Sequence, residues 1–361
     1  MRNLIRSFLP QLVVNYFWHL PKAVLANVFY GFPTKNLKVI GVTGTDGKTT
    51  TVNMIYQILK AANKKVFMIS TINSPGLHVT SPDPFVVQKL IKEAVTEGNK
   101  YLVLEVTSHA LDQFRFWGIK FEVGVITNIT HEHLDYHKTF ENYKNTKLKL
   151  LKNSKIPIEY IKLKLKLKIP GEYNIENASA AVAVTTALGI DKELARKAVE
   201  NFEGLTGRME EVKNKRGLKI IIDFAHTPNG LEQALKALRG LTKGKLIAVF
   251  GSAGQRDEGK RPLMGQIARK LADYVVVTAE DPRGELEIIN KQITQSAKTG
   301  KNLFVIEDRQ KAIDFAINKL AKKGDTVGIF GKGHEKSMNL DGKNEIPWSD
   351  KEAVEKVLNG Q

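Results

Sequence analysis

"GVTGTDGKTT", Gly41–Thr50, follows the apolar run "KVI" and leads into a helical pattern. A glycine-rich turn between strand and helix points backbone N–H groups into one concavity, and the positive end of the helix adds to the attraction for an anion. In such a turn Lys48 reaches the terminal phosphates of a nucleotide, and the Thr49 hydroxyl ligates Mg²⁺. The strict phosphate-loop pattern places glycine at the position held here by Val42, and Gly41 and Gly44 are offset from it. On these ten residues alone, a nucleotide loop and a tight turn carrying a surface lysine both stand.

The chain has 361 residues, enough for two domains with ordinary cores. An apolar share of 42% and a charged share of 26% describe a globular protein. With no cysteine, disulfides and thiolate metal sites are excluded, which fits a reducing cytoplasm. The 55 basic against 38 acidic residues give +17. That excess suits nucleic acid, an anionic membrane or acidic small substrates. No arginine-rich block and no basic run interleaved with aromatics occurs, so lysine bias with anionic small substrates is expected, without nucleic acid.

Residues 1–36 differ from the rest. "LIRSFLPQLVVNYFWHLPKAVLANVFYGFP" is rich in aromatics and aliphatics but interrupted by Pro10, Asn15, His19, Pro21 and Lys22. No uninterrupted apolar run nears the ~20 residues of a membrane helix, and there is no clean signal-peptide core with a cleavage site. Two short amphipathic helices packed on the protein's own body are expected, with membrane-surface docking as the lesser alternative.

From Lys38 onward, strand and helix patterns alternate. Continuous β-branched runs mark buried parallel strands: "KVIGV", "YLVLEV", "VGVITN", "KIIIDFAH", "LIAVFG", "YVVVTAED", "LFVIED" and "TVGIFG". Helical patterns such as "TVNMIYQILKAANK" and "DPFVVQKLIKEAVTEG" lie between them. This is an α/β protein with doubly wound sheets. "IKLKLKLKI" (161–169) alternates lysine with apolar residues and is expected to form one half-exposed strand. A break near "FEGLTGRME", with Gly204 and Gly207, divides the chain.

Open α/β sheets place ligands at the carboxyl ends of their strands. Glu105, Asn128, Asp223 and the pair Glu280–Asp281 occupy such ends, after four separate strands. "THEHLDYH" follows "VITNI" and packs His131, His133 and His137 with Glu132 and Asp135 into eight residues. That density of imidazoles and carboxylates suits a metal site or a solvated loop equally.

The segments "TGTDGKTT", "LEVTSHALDQ", "TNITHEHLDYH", "GEYNIENASAA", "GRME", "IIDFAHTP", "GSAGQRDEGKRPLMG" and "GKGHE" resemble, in order, the Mur ligases, and among them the MurE type. The resemblance runs from about Asn36 to the C-terminus, and the family's phosphate loop carries the shifted glycine spacing seen here. It implies an α/β fold: a phosphate-loop central domain with a mostly parallel sheet (37–206), then a C-terminal Rossmann-like, amino-acid-binding domain (207–361), after a short helical N-terminal segment (1–36). It also implies ATP-dependent amide formation, in which the γ-phosphate passes to a substrate carboxylate and an amino acid amine attacks the acyl phosphate.

The resemblance assigns roles residue by residue. Gly44, Thr45, Asp46, Gly47, Lys48, Thr49 and Thr50 form the phosphate loop, with Lys48 on the β- and γ-phosphates and Thr49 on one Mg²⁺. Glu105 and His133 match ligands of a second Mg²⁺, and Lys147 falls where the family has a carbamylated lysine bridging toward the metals. Asn128, Asn177, Arg208, Asp223 and His226 match nucleotide-contacting positions: Asn177 on the adenine side, Arg208 at the γ-phosphate and Asp223 at the ribose. Thr80 and Ser81 in "VTSPD", with Ser108 and Arg115, fall near the muramoyl-peptide acceptor. Arg256, Asp281, Arg283, Gly331 and Glu335 surround the incoming amino acid. Diaminopimelate users carry D-N-P-R at this turn, its arginine forking onto the distal carboxylate. Here "EDPR" (280–283) keeps Arg283 but has Asp281 in place of asparagine. Diaminopimelate is placed first and lysine second. Asp281 could repel a distal carboxylate, or be neutralised by Arg283.

Two departures from the family accompany this. Only 36 residues precede the first domain strand, where MurE-type enzymes have a domain that holds the UDP group. "KNSKIPIEYIKLKLKLKIPGEYN" also stands where the family has a longer meander. The acceptor is therefore a UDP-muramoyl-dipeptide bound through its peptide end, or a lipid-linked or smaller γ-carboxylate. A folylpolyglutamate-synthase-like ligase is the alternative enzyme, and an ATP-binding scaffold the alternative without turnover. A cytoplasmic monomer in peptidoglycan precursor synthesis is expected.

Overall fold

The computed structural model describes residues 10–72, 81–295 and 302–360. The chain forms two compact units: residues 1–129, 139–167 and 175–202 in the first, and 130–138, 168–174 and 203–361 in the second.

The first unit is built on five parallel strands: β1 (Lys38–Thr43), β2 (Val66–Ile69), β3 (Tyr101–Glu105), β4 (Phe121–Ile126) and β5 (Ser154–Ile158). Their order is β2-β3-β1-β4-β5. β1 is central, with Val42 opposite Glu105 on β3 and Val125 on β4. Its last five residues are all buried, as expected of a parallel strand covered on both faces. The helix Lys48–Ala61 turns Val52, Ile55, Ile58 and Leu59 inward at helical spacing. The helix Pro84–Thr96 starts with proline behind an Asp83 cap that accepts from the Phe85 N–H at 3.1 Å.

The N-terminal segment forms helix over Gln11–Val14, a wide π turn over Asn15–His19 and helix over Leu20–Tyr30. Pro21 follows the π turn within one run of helical backbone, and the wider turn there makes room for its ring beside the carbonyl four residues back. Asn27 is fully buried and donates to the carbonyls of Ala23 and Trp117 at 2.9 and 2.7 Å. It fits because Gly118, at φ 79°, leaves room, since a Cβ there would lie 2.7 Å from Asn27 Oδ1.

The second unit holds a six-stranded sheet of β6 (Glu210–Val212), β7 (Lys219–Asp223), β8 (Leu246–Phe250), β9 (Tyr274–Val277), β10 (Leu303–Val305) and β11 (Thr326–Phe330), ordered β10-β9-β8-β11-β7-β6. All pairings are parallel except β6 with β7. Period-2 alternation sends Ala248 and Phe250 to one core with Leu235 and Met264, and Ile247 and Val249 to the other with Ile313 and Val354. A hairpin of β12 (Ser337–Asn339) and β13 (Glu345–Pro347) follows β11.

All eight β-branched runs contain a strand, and the two large sheets are parallel apart from the antiparallel β6–β7 edge. Residues 161–169 do not form the expected strand. Their burial alternates, but their backbone bonds to side chains: the Leu163 N–H to Ser179 Oγ at 2.9 Å and the Lys166 N–H to Glu200 at 3.2 Å. Arg196 also donates to the Lys164 carbonyl. Alternation provides the two faces, whereas a strand also needs a neighbouring backbone.

The Arg309 guanidinium is fully buried against Asp350, with Nε–Oδ1 at 2.7 Å and Nη2–Oδ2 at 2.8 Å. It also donates to the carbonyls of Ala279 and Phe330, just past β9 and at the end of β11. Removing one partner strands a buried charge. Asp350→Ala is expected to lose roughly 3–5 kcal/mol in denaturant unfolding, and an unchanged midpoint would contradict this account.

Candidate active site

The glycine-rich loop explains its own spacing. β1 continues through Thr43, so Val42 is a buried strand residue and the loop is Gly44–Gly47. A Cβ at Gly44 would overlap Thr127 Oγ1, and one at Gly47 would overlap Asn177 Oδ1. Gly47, at φ 81°, caps the helix without offering a side-chain acceptor to its first turn, where Lys48, Thr49 and Thr50 lie. Asn128 clamps the loop: its carbonyl accepts from the Thr45 N–H at 2.9 Å, its Oδ1 from the Asp46 N–H at 2.9 Å, and its Nδ2 donates to the Asp46 carbonyl. Thr127 Oγ1 donates to the same carbonyl at 2.6 Å. Lys48 Nζ donates to the Thr45 carbonyl at 2.8 Å. Lys147, 1% exposed, donates to the Gly44 carbonyl at 2.6 Å with its ammonium 4.5 Å from the Tyr143 ring centre. Tyr143 OH lies 3.0 Å from Thr45 Oγ1.

Glu105 ends β3 with 2% of its surface exposed. Its carboxylate accepts from the Thr49 hydroxyl at 3.0 and 3.1 Å, and from the Thr71 N–H and hydroxyl at 3.0 and 3.1 Å. Ser81 Oγ donates to the Glu105 carbonyl at 3.3 Å, and Thr107 Oγ1 lies 3.1 Å from Ser81 Oγ. Arg115 donates to the Ser81 carbonyl and forks onto Gln113. Ser108 is buried in the short helix Ser108–Asp112. Thr80 lies outside the described residues. Lys48, Thr49, Glu105, Asn128, Lys147 and Asn177 all belong to the first unit.

His133 belongs to the second. It takes a left-handed φ of 57° ahead of the turn Leu134–His137, and its Nδ1 is 3.9 Å from Glu132 Oε1. Glu132 is buried on Lys260 at 3.2 Å. His131 lies 3.4 Å from Asp257, which also accepts from the Leu134 N–H. Among the described residues no three His, Asp or Glu side chains form a group that could hold a metal ion.

In the same unit Asp223 ends β7 and accepts from the Met209 N–H on one oxygen and the Ala225 N–H on the other, both at 2.8 Å. Arg208 lies over the Phe224 ring at 4.5 Å, and His226 meets the same ring edge-on, its Nδ1 2.9 Å from the Phe224 carbonyl. His334 also packs on Phe224. Burial, with Arg208 and Lys332 nearby, pushes His334 down to about 3, so its imidazole is neutral at pH 7.

Asp281 is paired chiefly with Lys332, at 2.8 Å, and accepts from the Asn339 N–H at 3.0 Å. Arg283 stands 3.6 Å from the other Asp281 oxygen, donates to the Gly254 carbonyl at 2.9 Å, and holds a left-handed φ of 48°. Lys332 also meets Glu335 at 2.5 Å. Burial opposes the Lys332 charge, but Glu335 and Asp281 raise its ammonium above the ordinary value. A Cβ at Gly331 would crowd Glu280, while Arg256 is exposed.

Several residues of these clusters carry no motif that singles them out in the sequence. Thr71 follows β2, a four-residue strand too short to stand out. Tyr143 lies one helical turn before Lys147, which was its available signal. Lys332 sits inside "GKGHE", and Glu280 was visible as a strand-end carboxylate. Burial raises Glu280 to about 7, against the pull of Lys260, Arg309 and Lys332. The folded state therefore keeps this proton to about pH 7, while the unfolded chain loses it near the ordinary 4.5. Between those values the folded state binds more protons, so this group's contribution to stability falls as pH rises. Glu280→Gln is expected to gain stability relative to the wild type between pH 5 and pH 8, by up to about 3 kcal/mol in denaturant unfolding. A pH-independent difference would refute this.

The comparisons with known proteins agree with this layout. Residues 42–158 match the Mur ligase middle domain, and 207–333 match the Mur ligase, glutamate ligase domain. The chain is 38% identical over 393 residues to the UDP-N-acetylmuramoyl-L-alanyl-D-glutamate–2,6-diaminopimelate ligase 1 of Clostridium acetobutylicum, covering 93% of this chain and 81% of that protein. That aligned span exceeds the 361 residues here, so the relative carries insertions this chain lacks. Among solved structures, a UDP-N-acetylmuramoyl-L-alanyl-D-glutamate–2,6-diaminopimelate ligase superposes with a TM-score of 0.59 at 27% identity, covering 96% of this chain and 83% of that one. The folylpolyglutamate synthase of Mycobacterium tuberculosis reaches 0.69 at 16% identity, covering 86% and 92%, which is a likeness of fold. On the two family domains in order and a relative of this identity over most of both chains, the chain belongs to the Mur ligase family of ATP-dependent ligases.

Proposed function

We propose that this protein joins a diamino acid, diaminopimelate before lysine, to the γ-carboxylate of a muramoyl-dipeptide-like acceptor in peptidoglycan precursor synthesis, at the expense of ATP. One observation carries the ligase reading: the loop Gly44–Gly47, clamped by Asn128, lies beside Thr49 and the buried Glu105 carboxylate. A carboxylate is a poor electrophile. Its oxygen attacks the γ-phosphorus, the bond to the bridging oxygen breaks, and ADP leaves. The amine then attacks the acyl carbon, gives up a proton and expels phosphate. Catalysis of this kind is mostly positioning and charge neutralisation.

Lys48 takes the β- and γ-phosphates, its amine exchanging the Thr45 carbonyl for phosphate oxygens. Arg208 serves the γ-phosphate, Asn177 the adenine side and Asp223 the ribose, with His226 beside it. Both Asp223 oxygens accept backbone N–H groups, which fixes the carboxylate at the end of β7. The Thr49 hydroxyl and Glu105 carboxylate are hard oxygen donors, which fit Mg²⁺. Two such ions are proposed, with His133 on the second; when bound, they neutralise phosphate charge. Lys147, buried on the loop, is proposed to carry a carbamate, which would place an anion there. Ser81, Ser108 and Arg115 serve the acceptor.

The choice of amino acid rests on Asp281. Its carboxylate is neutralised by Lys332 at 2.8 Å and faces Arg283 at 3.6 Å, so it does not oppose a distal carboxylate. The relatives named above as diaminopimelate ligases favour the same choice. Arg256, Gly331 and Glu335 complete the proposed pocket.

ADP release, measured for a panel of amino acids against acceptors with and without UDP, tests the reading. Turnover is expected with diaminopimelate and a muramoyl-dipeptide. Turnover only with an unrelated γ-carboxylate would favour the folylpolyglutamate-synthase-like alternative. Lys48→Ala is expected to abolish ADP release with the fold intact by circular dichroism, and near-normal release would remove the ligase reading. Arg283→Ala is expected to raise KM for diaminopimelate far more than for lysine, by ~2–4 kcal/mol if a buried charge pair is lost. Equal losses would sink the amino-acid assignment.

A further inference from the structure

The N-terminal helical segment is inside out. Asn15 and Asn27 are 3% and 0% exposed, while Phe17 and Phe29 are 80% and 73% exposed, accompanied on the outside by Leu12, Tyr16, Leu25 and Val28. The buried side makes polar contacts: Asn15 donates to Asp112 at 2.6 Å and Asn27 donates to the Trp117 carbonyl, while Asn27 Oδ1 accepts no hydrogen bond among the described residues. The wide turn Asn15–His19 makes this possible. On an unbroken helix of 3.6 residues per turn the two asparagines would point about 120° apart. One residue absorbed in a π turn brings them to one face and leaves the large apolar residues together on the other.

We propose that this outer face docks the protein on an anionic membrane surface, the segment lying in the interface plane. Isolated exposed apolar side chains are ordinary, but a contiguous row of this size, rich in aromatics, marks a docking face. Charge selects the occupant. The first 45 residues contain no Asp or Glu, and they carry Arg2, Arg6, Lys22, Lys35 and Lys38 in a chain of net charge +17, with Lys22 paired to Asp83 at 2.5 Å. Aromatic and aliphatic residues beside basic ones, with no acidic residue, are what an anionic headgroup layer attracts. Among the described residues no helix is long and apolar enough to cross a membrane, so the segment lies on the surface rather than spanning it. This goes beyond the proposed ligase activity and does not depend on it.

Flotation of the full chain with vesicles tests the proposal, using phosphatidylcholine alone and phosphatidylcholine mixed with phosphatidylglycerol. Binding is expected to the mixed vesicles, weakening as salt is raised. The combined variant Leu12→Ser, Phe17→Ser and Phe29→Ser is expected to lose that binding by at least about tenfold, with ADP release in solution unchanged. Because these side chains are exposed, the variant is expected to fold, and an unchanged thermal midpoint confirms it. Absence of flotation with the mixed vesicles, or equal flotation of the variant, would overturn the proposal. So would sedimentation showing a wild-type dimer that the variant disperses, without vesicle binding, since the face would then belong to a second copy of the chain.

Discussion

A carboxylate with 2% of its surface exposed must be supplied with donors, and Glu105 draws them from separate parts of the first unit. Thr49 comes from the first turn after the glycine-rich loop, Thr71 from the end of β2, and Glu105 itself from the end of β3. The strand order β2-β3-β1 brings these ends side by side, with Val42 of β1 directly opposite Glu105. Satisfying one buried charge thus fixes the register between the loop and its neighbouring strands. The geometry needed for stability is also the geometry needed to present Thr49 and Glu105 together.

Much of the fold was legible because most of the large sheets' strands are buried on both faces and read as continuous apolar runs, although β10, read the same way, is a partly exposed edge. β2, β5, β6, β12 and β13 were not legible: β2 has four residues, β6, β12 and β13 have three each, and β5 is a half-buried edge strand. Residues 161–169 erred the other way, since alternation is a property of one segment whereas pairing needs another. The site was legible chiefly through ordered motifs. What they could not convey was the partner of each side chain. Asp281 illustrates this, because its charge has opposite consequences alone and beside Lys332, and Lys332 lies 51 residues further along the chain.

The second unit manages buried charge differently. Arg309 and Asp350 form a fork-to-fork pair that also reaches the carbonyls of Ala279 and Phe330. Close by, Glu280 has an oxygen without a hydrogen-bond partner and titrates near neutrality. The fully matched charges hold strand ends in place. At Glu280 the cost of burial outweighs the pull of Lys260, Arg309 and Lys332, so this carboxyl holds its proton toward neutral pH.

The two compact units are interleaved in sequence. The chain leaves the first unit after Ile129, Leu167 and Phe202, and returns to it after Lys138 and Asn174. Neither unit is a single stretch of residues: the segments 130–138 and 168–174 pack with the second unit although the chain on both sides of each belongs to the first. A recombination point at any one crossing would transplant a body missing part of its own interior, such as the Glu132–Lys260 pair that joins the short excursion at 130–138 to the rest of the second unit.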